Sequence, residues 1–243
     1  RRVQKCLYTR NGSAWSLSRD TRFVYDGWNV LMELDGLDHD SNSQPDNTPL
    51  RTYTWGLDLS GSLQGAGGIG GLLAMFDTNG TSSTGDDKNY AYFYDANGNV
   101  GQLVDLADGT LFRTYEYDPY GRELHYVPPY PSGGWEDVNS FRFSTKYCDD
   151  ELASGTAEDM YYYGYRYYLP RLGRWANRDP IGESGGILLC RFSGNSPMIW
   201  IDRNGLEPTA SQPEGPSSQP DDPEPGWPRY PEKLEPPYPK GTK

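Results

Sequence analysis

Apolar and polar residues alternate along most of the chain, and short clusters of Gly, Asp, Asn and Pro interrupt the alternation. Over residues 22–35 the pattern breaks at Asp26–Gly27 and resumes at Val30, which predicts a strand, a turn and a strand. A polar stretch over residues 36–50 predicts a surface loop, and the alternation restarts at Arg51. Alternation with a period of two residues, bounded by turn residues, is typical of an all-β protein, and we predict that fold class.

The densest alternation lies at Met160–Tyr168, in the run MYYYGYRYY. An extended segment would place a row of tyrosines on each face, so we predict a strand or hairpin arm with tyrosines packed on both sides. Pro170 ends the ladder, because proline has no N–H to donate. Together with Trp175 and Trp200, these rings could form a platform that stacks carbohydrate. Aromatic residues at strand spacing more often pack against each other, and we expect packing.

An internal repeat becomes explicit in the middle of the chain. The Y-x-Y-D-x-x-G core of Tyr92–Val100 recurs 23 residues later in Tyr115–Glu123, and Tyr25–Asp26 is a degenerate earlier copy. A fixed period indicates one supersecondary unit that is repeated. Each copy predicts a strand that ends at Tyr-Asp, a turn at x-x-Gly and a second strand, so we expect stacked β-hairpins.

Two related turns flank a short apolar segment near the end of the body of the chain. Arg178–Gly182 reads as a turn because proline presets φ and glycine accepts a positive φ. Asp202–Leu206 has a similar form, and the two aspartates that begin the Asp-x-x-Gly pattern lie 23 positions apart. Aspartate commonly accepts hydrogen bonds from the backbone of its own turn, so both patterns predict tight turns.

These residues resemble a known family. The motifs FRFSTKY at Phe141–Tyr147, YYYGYRYYLPRLGRWANRDPIGESGG from Tyr161, GN-P at residues 194–197 and D-x-x-G-L at Asp202–Leu206 are similar, in type and order, to the end of the Rhs repeat-associated core domain of bacterial Rhs and YD-repeat proteins. The resemblance implies the C-terminal turns of a spiral YD-repeat β-shell, or cocoon, closed by the core-associated segment. We therefore divide the chain into shell strands at residues 1–140, the core segment at 141–206 and a tail at 207–243.

The resemblance also implies a site. Many Rhs-type proteins end their shell with two DPxG-like turns and cut themselves just past the second one. Carried over, Asp179 and Asp202 would form an aspartic protease pair, with Arg178 polarising the carbonyl or tuning Asp179, and the Leu206–Glu207 bond would be cut. Two close carboxylates suit this chemistry, because one can take a proton from water while the other, protonated, donates to the carbonyl oxygen.

This chain departs from the family pattern at the second turn. Arg203 stands where the family has proline, which loosens the turn and adds a positive charge beside Asp202. The alternative interpretation is that Asp179 and Asp202 only hydrogen-bond their own turns, since spacing along a chain does not establish that two carboxyl groups meet. If the geometry of the second turn limits the rate of self-cleavage, the substitution Arg203→Pro should speed cutting.

Charge and composition exclude several other functions. The net charge of −12 argues against a nucleic-acid binder, because phosphate contacts require clustered Lys and Arg. Residues 65–70 match the G-x-G-x-x-G pattern of dinucleotide-binding loops, but no amphipathic helix follows and no acidic residue opens a second strand at the needed distance. We expect a close crossing of backbones there instead, and we predict no cofactor.

Metal sites, disulfides and membrane spans are not predicted either. The acidic residues Asp149–Glu151 and Glu183 lack the alternating oxygen-ligand spacing of a calcium loop, so we interpret them as solvated surface. The three cysteines have neither CxxC spacing nor nearby histidines. The chain contains no apolar run of about 18 residues and no signal-like N-terminus, so we expect any export signal to lie outside this chain.

The last 37 residues differ in composition from the rest, since 11 of them are proline. Residues 207–243 are therefore predicted to be disordered or extended, and they are too short for a folded effector domain. The resemblance implies a fragment of a polymorphic-toxin-type shell, secreted or on the cell surface, that encloses a C-terminal effector and releases it by autoproteolysis. Secretion-system or surface proteins would be further partners. The alternative is a non-enzymatic adhesion scaffold that has lost self-cleavage.

Overall fold

Nine consecutive strands form one antiparallel sheet in which every strand pairs with its neighbour in sequence. This arrangement comes from a computed structural model, which describes residues 1–126, 139–151, 159–185, 187–206 and 208–210, all of them within one compact unit, Arg1–Pro213. The strands are β1 (Gln4–Asn11), β2 (Ala14–Asp26), β3 (Asn29–Asp35), β4 (Pro49–Trp55), β5 (Leu72–Asp77), β6 (Lys88–Tyr94), β7 (Val100–Asp105), β8 (Leu111–Tyr117) and β9 (Glu123–Tyr126).

Alternating burial explains why these segments are strands. In β6, Tyr90 and Tyr92 are buried while Phe93 is exposed, and in β8 Tyr115 is buried. Seven of the eight strand pairings contain a register shift, and such bulges bend a sheet and increase its twist. The apolar core of the sheet is completed by Phe141 and Tyr147, which belong to the segment that follows it.

That following segment folds into short strands joined by tight turns. A four-stranded sheet contains β10 (Tyr147–Asp149), β11 (Met160–Tyr162), β12 (Tyr167–Leu169) and β13 (Arg174–Trp175), and a two-stranded sheet contains β14 (Trp200–Asp202) and β15 (Pro208–Ala210). Only short 3₁₀ turns, and no α-helices, occur in the described ranges. The all-β prediction is therefore confirmed.

The tyrosine ladder is a hairpin, and its tyrosines pack on both faces as predicted. Tyr161 pairs with Tyr168 and both are buried, while the rings of Tyr162 and Tyr167 lie 5.3 Å apart on the other face. Trp175 packs edge-on against the core of this cluster, so packing rather than carbohydrate stacking accounts for the buried rings. Trp200, for which packing was also expected, is 41% exposed.

Two other predictions need correction. Asp149 is buried and not solvated, because its carboxylate pairs with Arg2 at 2.5 Å and with Lys5 at 2.7 Å. Residues 208–210, which composition assigns to the irregular tail, form strand β15. Proline is tolerated at the first position of an edge strand, so Pro208 does not prevent this pairing. Residues 211–243 lie outside the described part of the chain.

The glycine-rich loop at residues 65–70 does not have the setting of a nucleotide-binding loop. Its backbone N–H groups at Ala66 and Gly68 donate to the carboxylate of Asp58, at 2.7 and 3.1 Å. The anion that this loop holds is thus a side chain of the same protein. A Cβ atom on Gly67 would lie 2.4 Å from the carbonyl oxygen of Arg203, so the expected close approach of two backbones is confirmed.

Candidate functional site

A buried arginine, Arg166, lies at the centre of the candidate site. Only 2% of its surface is exposed, and its guanidinium stands 4.3 Å from the centre of the Trp175 ring. One terminal nitrogen lies 2.7 Å from Oδ2 of Asp179, and the other lies 3.5 Å from Oδ2 of Asp202. The structure therefore brings both predicted aspartates to one guanidinium. A buried charge requires such partners, because desolvation is otherwise very unfavourable.

The turn between β11 and β12 places Arg166. The N–H of Tyr163 donates to the carbonyl of Arg166 at 3.0 Å, and Gly164 has a φ of 104°. A Cβ atom on Gly164 would lie 2.7 Å from the Trp28 ring, so both the backbone angle and the available space favour glycine. The N–H of Tyr165 donates to the carbonyl of Asn204 at 3.1 Å, which joins this turn to the second Asp-x-x-Gly turn.

Asp179 has two separate sets of contacts. Its Oδ1 accepts the N–H of Ile181 at 3.1 Å, and its backbone carbonyl accepts the N–H of Gly182 at 3.1 Å. Its own N–H donates to the carbonyl of Leu189 at 3.0 Å. Since Oδ1 holds the turn, Oδ2 is left for the ion pair with Arg166.

Asp202 is divided in the same way and is more deeply buried. Its Oδ1 accepts three backbone N–H groups, from Asn204 at 3.3 Å, Gly205 at 2.7 Å and Leu206 at 3.1 Å. Burial raises the pKa of Asp202, although these N–H groups and the Arg166 guanidinium act in the opposite direction. Asp202 thus accepts hydrogen bonds from its own turn through one oxygen and faces Arg166 through the second oxygen. A role in stabilising the turn and a role in a protease pair are therefore compatible.

The peptide predicted to be cut begins beside the same guanidinium. The carbonyl oxygen of Leu206 accepts a hydrogen bond from Arg166 at 3.2 Å, and that of Gly205 accepts one from Nε at 2.5 Å. Strand β14 ends at Asp202 and β15 starts at Pro208, with Asp202 and Pro208 as register partners. Residue 207, the other side of the predicted bond, lies outside the described residues.

The arginine at the site is not the one that the family resemblance implies. Arg178 is exposed, whereas Arg166 contacts both carboxylates and the Leu206 carbonyl. In the sequence, Arg166 is one position of the tyrosine ladder at Met160–Tyr168. The signal that could have identified it is a charged residue within an aromatic, core-forming run, because arginine is almost never fully buried without a partner.

A second group of carboxylates lies in the loop between β3 and β4. Ligand oxygens of Asp38, Asp40 and Asp46 lie within 4.8 Å of one another. Asp38 and Asp40 both accept the N–H of Asn42, at 3.1 Å each, so local turn hydrogen bonds account for part of this convergence. This loop is exposed at Asp38 and Asp40, and the sequence predicts a surface loop there without a metal site.

Within the described residues, no helix has the length and apolar character needed to cross a membrane. The nine-stranded antiparallel meander and the short closing strands define an all-β class, and the chain is similar to Rhs/YD-repeat shell proteins. No family model matches the chain.

Named relatives give the comparison more detail. The chain is 33% identical over 121 residues to toxin subunit YenC1 of Yersinia entomophaga, covering 45% of this chain and 12% of that protein. It is 43% identical over 65 residues to toxin protein Tse5 of Pseudomonas aeruginosa, covering 27% of this chain and 4% of that protein. It is 29% identical over 212 residues to the tRNA3(Ser)-specific nuclease WapA of Bacillus spizizenii, covering 84% of this chain and 7% of that protein.

The fold is found in a solved toxin complex. The crystal structure of TcdB2-TccC3-TEV matches with a TM-score of 0.51 and 21% identity, covering 84% of this chain and 10% of that chain. The chain thus spans a small part of the proteins it resembles, and its relatives are toxin-associated shell proteins.

Proposed function

We propose that this chain is the closing part of a toxin-type shell that cuts itself between Leu206 and residue 207. One observation carries the proposal: the buried guanidinium of Arg166 contacts Asp179, Asp202 and the carbonyl oxygen of Leu206. A cation beside a peptide carbonyl stabilises the negative charge that develops on the oxygen when water attacks. A structural ion pair alone does not require the third contact.

The proposed reaction assigns a separate role to each carboxylate. Asp179, which lies closer to Arg166, takes a proton from the attacking water. Asp202, in its protonated form, supplies a proton to the Leu206 carbonyl oxygen; its raised pKa increases the share of this form and supports the role. A bond forms between the water oxygen and the Leu206 carbonyl carbon.

Collapse of the tetrahedral intermediate completes the reaction. The carbon–nitrogen bond to residue 207 breaks, the leaving nitrogen receives the proton held by Asp179, and Asp202 recovers its own proton from the intermediate. The products are a carboxyl group on Leu206 and an amino group on residue 207. Arg166, which is already in place, does not have to reorganise during these steps.

The proposed biological role follows from the relatives. The chain would form the last turns of a spiral cocoon that encloses a C-terminal segment and frees it by this cleavage. The relatives named toxin subunits and toxin proteins support a secreted or surface location and partners among toxin subunits, secretion-system components and effector segments. In this proposal the nine-stranded sheet is one part of the wall.

The second candidate function is a shell or adhesion scaffold without protease activity. The three backbone N–H groups that donate to Oδ1 of Asp202 favour it, because stabilisation of the turn already accounts for this carboxylate. In that case the ion pairs with Arg166 would hold the turns together and no bond would be cut.

The mass of freshly purified protein distinguishes the two functions. The wild type should yield a fragment ending at Leu206, and Asp179→Asn should remain intact, since an amide cannot take the proton of water. The matched control is Asp118→Asn, at an Asp-x-x-Gly turn of the sheet, which should be cut like the wild type. Recovery of all three proteins uncut would establish the scaffold and reject the protease.

A further inference from the structure

The glycine-rich loop at residues 65–70 is joined to the second Asp-x-x-Gly turn by three contacts. The ammonium of Lys146 donates to the carbonyl of Gly67 at 2.8 Å and to that of Arg203 at 2.6 Å. The guanidinium of Arg203 donates to the carbonyl of Gly65 at 3.0 Å. A Cβ atom on Gly67 would meet the Arg203 carbonyl at 2.4 Å, so only glycine permits this approach.

We propose that Lys146, Gly67 and Arg203 form a tether that positions Asp202 and the Leu206 carbonyl against Arg166. The inference rests on the proposed self-cleavage. It makes Lys146 a positioning residue, since its ammonium contacts the backbone next to Asp202 and not the bond that is cut. The glycine-rich loop would then have the function of docking the cleavage turn.

The loop is a firm anchor because it is fixed independently of the turn. The carboxylate of Asp58 accepts the N–H groups of Ala66 and Gly68, and the N–H of Gly70 donates to the hydroxyl of Thr145 at 2.8 Å. Thr145 directly precedes Lys146. The segment that carries Lys146 therefore also binds the glycine-rich loop, so Lys146 and Gly67 are held in fixed positions relative to each other.

The charge of Lys146 is suited to this position. Lys146 is 7% exposed, and Asp58 and Asp202 are the carboxylates that act on its charge, while the Tyr163 ring lies 5.4 Å from the ammonium. Burial lowers the pKa of Lys146 to about 8, and the two carboxylates limit the decrease. The ammonium is therefore mostly charged at neutral pH, where it makes charge-assisted hydrogen bonds to both carbonyls.

The tether also gives a physical reason for arginine at position 203. Proline would stiffen the turn by fixing its own φ. Arg203 instead fixes the turn to the loop through its side chain and its carbonyl. The departure from the family pattern would thus replace local stiffness with a tertiary contact.

Hydrogen exchange tests the tether without relying on cleavage. In the Asp179→Asn background, Lys146→Met should speed exchange of the amides of Asn204, Gly205 and Leu206 at least tenfold, while the Ile181 amide at the first turn stays unchanged. Arg203→Ala, at an exposed side chain, should give an increase of about threefold. The control is Lys88→Met, which removes an ion pair with Asp105 in the nine-stranded sheet and should change none of these amides.

Cleavage then tests the role of the tether. Lys146→Met should slow self-cleavage by about 10- to 100-fold and shift its pH profile upward, because removing a nearby positive charge raises the pKa of Asp202. Lys146→Arg should restore part of the rate at neutral pH. Unchanged exchange in Lys146→Met and Arg203→Ala would overturn the tether, whatever the cleavage result. If exchange rises in both variants but the wild-type protein is never cut, the tether is supported and the proposed protease is rejected.

Discussion

Turns with the pattern Asp-x-x-Gly lie in two different environments: those that begin at Asp95 and Asp118 belong to the sheet, and those that begin at Asp179 and Asp202 belong to the closing segment. In the sheet, the carboxylates of Asp95 and Asp118 accept N–H groups two and four residues ahead. In the closing segment, Asp179 and Asp202 accept N–H groups from their own turns as well. The local hydrogen-bond pattern is therefore similar in both regions.

The difference lies in the second oxygen of each carboxylate. Asp95 is exposed and Asp118 is half-buried beside the exposed side chain of Arg122. Asp179 and Asp202 are buried and face Arg166, which is 2% exposed. Water screens charges at the first two turns, whereas in the buried pair they act at low dielectric, where a carboxyl pKa can be shifted and a carbonyl polarised. The Asp-x-x-Gly pattern forms a turn in both regions. Burial beside Arg166 adds the low-dielectric environment that acid–base chemistry of the carboxylates requires.

The largest expected effect comes from removing one carboxylate in each environment. Asp202→Asn should reduce self-cleavage by roughly 10²- to 10⁴-fold, the usual contribution of a general acid. Asp95→Asn, the same change at a turn of the sheet, should leave the rate within about twofold, since an exposed turn aspartate contributes no proton transfer. Both rates can be measured by intact mass after rapid purification. Equal loss in the two variants would mean that the turns act only through folding.

The next effect distinguishes two arginines. Arg166→Gln should slow cleavage by about 10²- to 10³-fold, because it removes the cation at the Leu206 carbonyl. It should also lower the free energy of unfolding by roughly 3–5 kcal/mol, since two buried carboxylates lose their partner. Arg178→Gln should change neither quantity, as Arg178 is exposed. Urea denaturation and cleavage assays on the folded fraction check both points, and a cleavage defect confined to Arg178→Gln would refute the assignment.

A smaller effect should appear in the pH dependence of stability. The pKa of Lys146 is lowered to about 8 in the folded protein, below its ordinary value of 10.5, so between these values the unfolded chain binds more protons. The free energy of unfolding of the wild type should therefore rise with pH relative to Lys146→Met, by about 2 kcal/mol between pH 8 and pH 10. Denaturation at several pH values measures this difference. If the free energies of unfolding of the two proteins change with pH in the same way, the pKa of Lys146 is not lowered in the folded protein.

The smallest effect concerns the departure from the family pattern. Arg203→Pro removes the hydrogen bond to Gly65 but restricts the backbone of the turn, and these changes oppose each other. Cleavage should stay within about threefold of the wild type, measured as the cut fraction over time. An increase above about tenfold would support the expectation that a loose turn limits cutting, and would argue against compensation by the tether.

The sequence alone determined the all-β class, the hairpin at the tyrosine ladder and the turns at Asp95, Asp118, Asp179 and Asp202. These features depend on local rules: alternation with period two marks strands, and Asp and Gly mark turns wherever they occur. The order of the motifs around Asp179 and Asp202 was also sufficient to suggest the family. Gly65–Gly70 was interpreted correctly as a close approach of backbones, because no helix follows it.

Only the tertiary structure decided which charges meet. Arg166 lies 13 residues before Asp179 and 36 before Asp202, and Lys146 lies 57 before Arg203. Contacts over such separations depend on how the hairpin tip, the glycine-rich loop and the β14–β15 pair pack together, which no local pattern encodes. Burial is likewise a property of the whole fold: it makes Arg166 rather than the exposed Arg178 the partner of both aspartates, and it raises the pKa of Asp202.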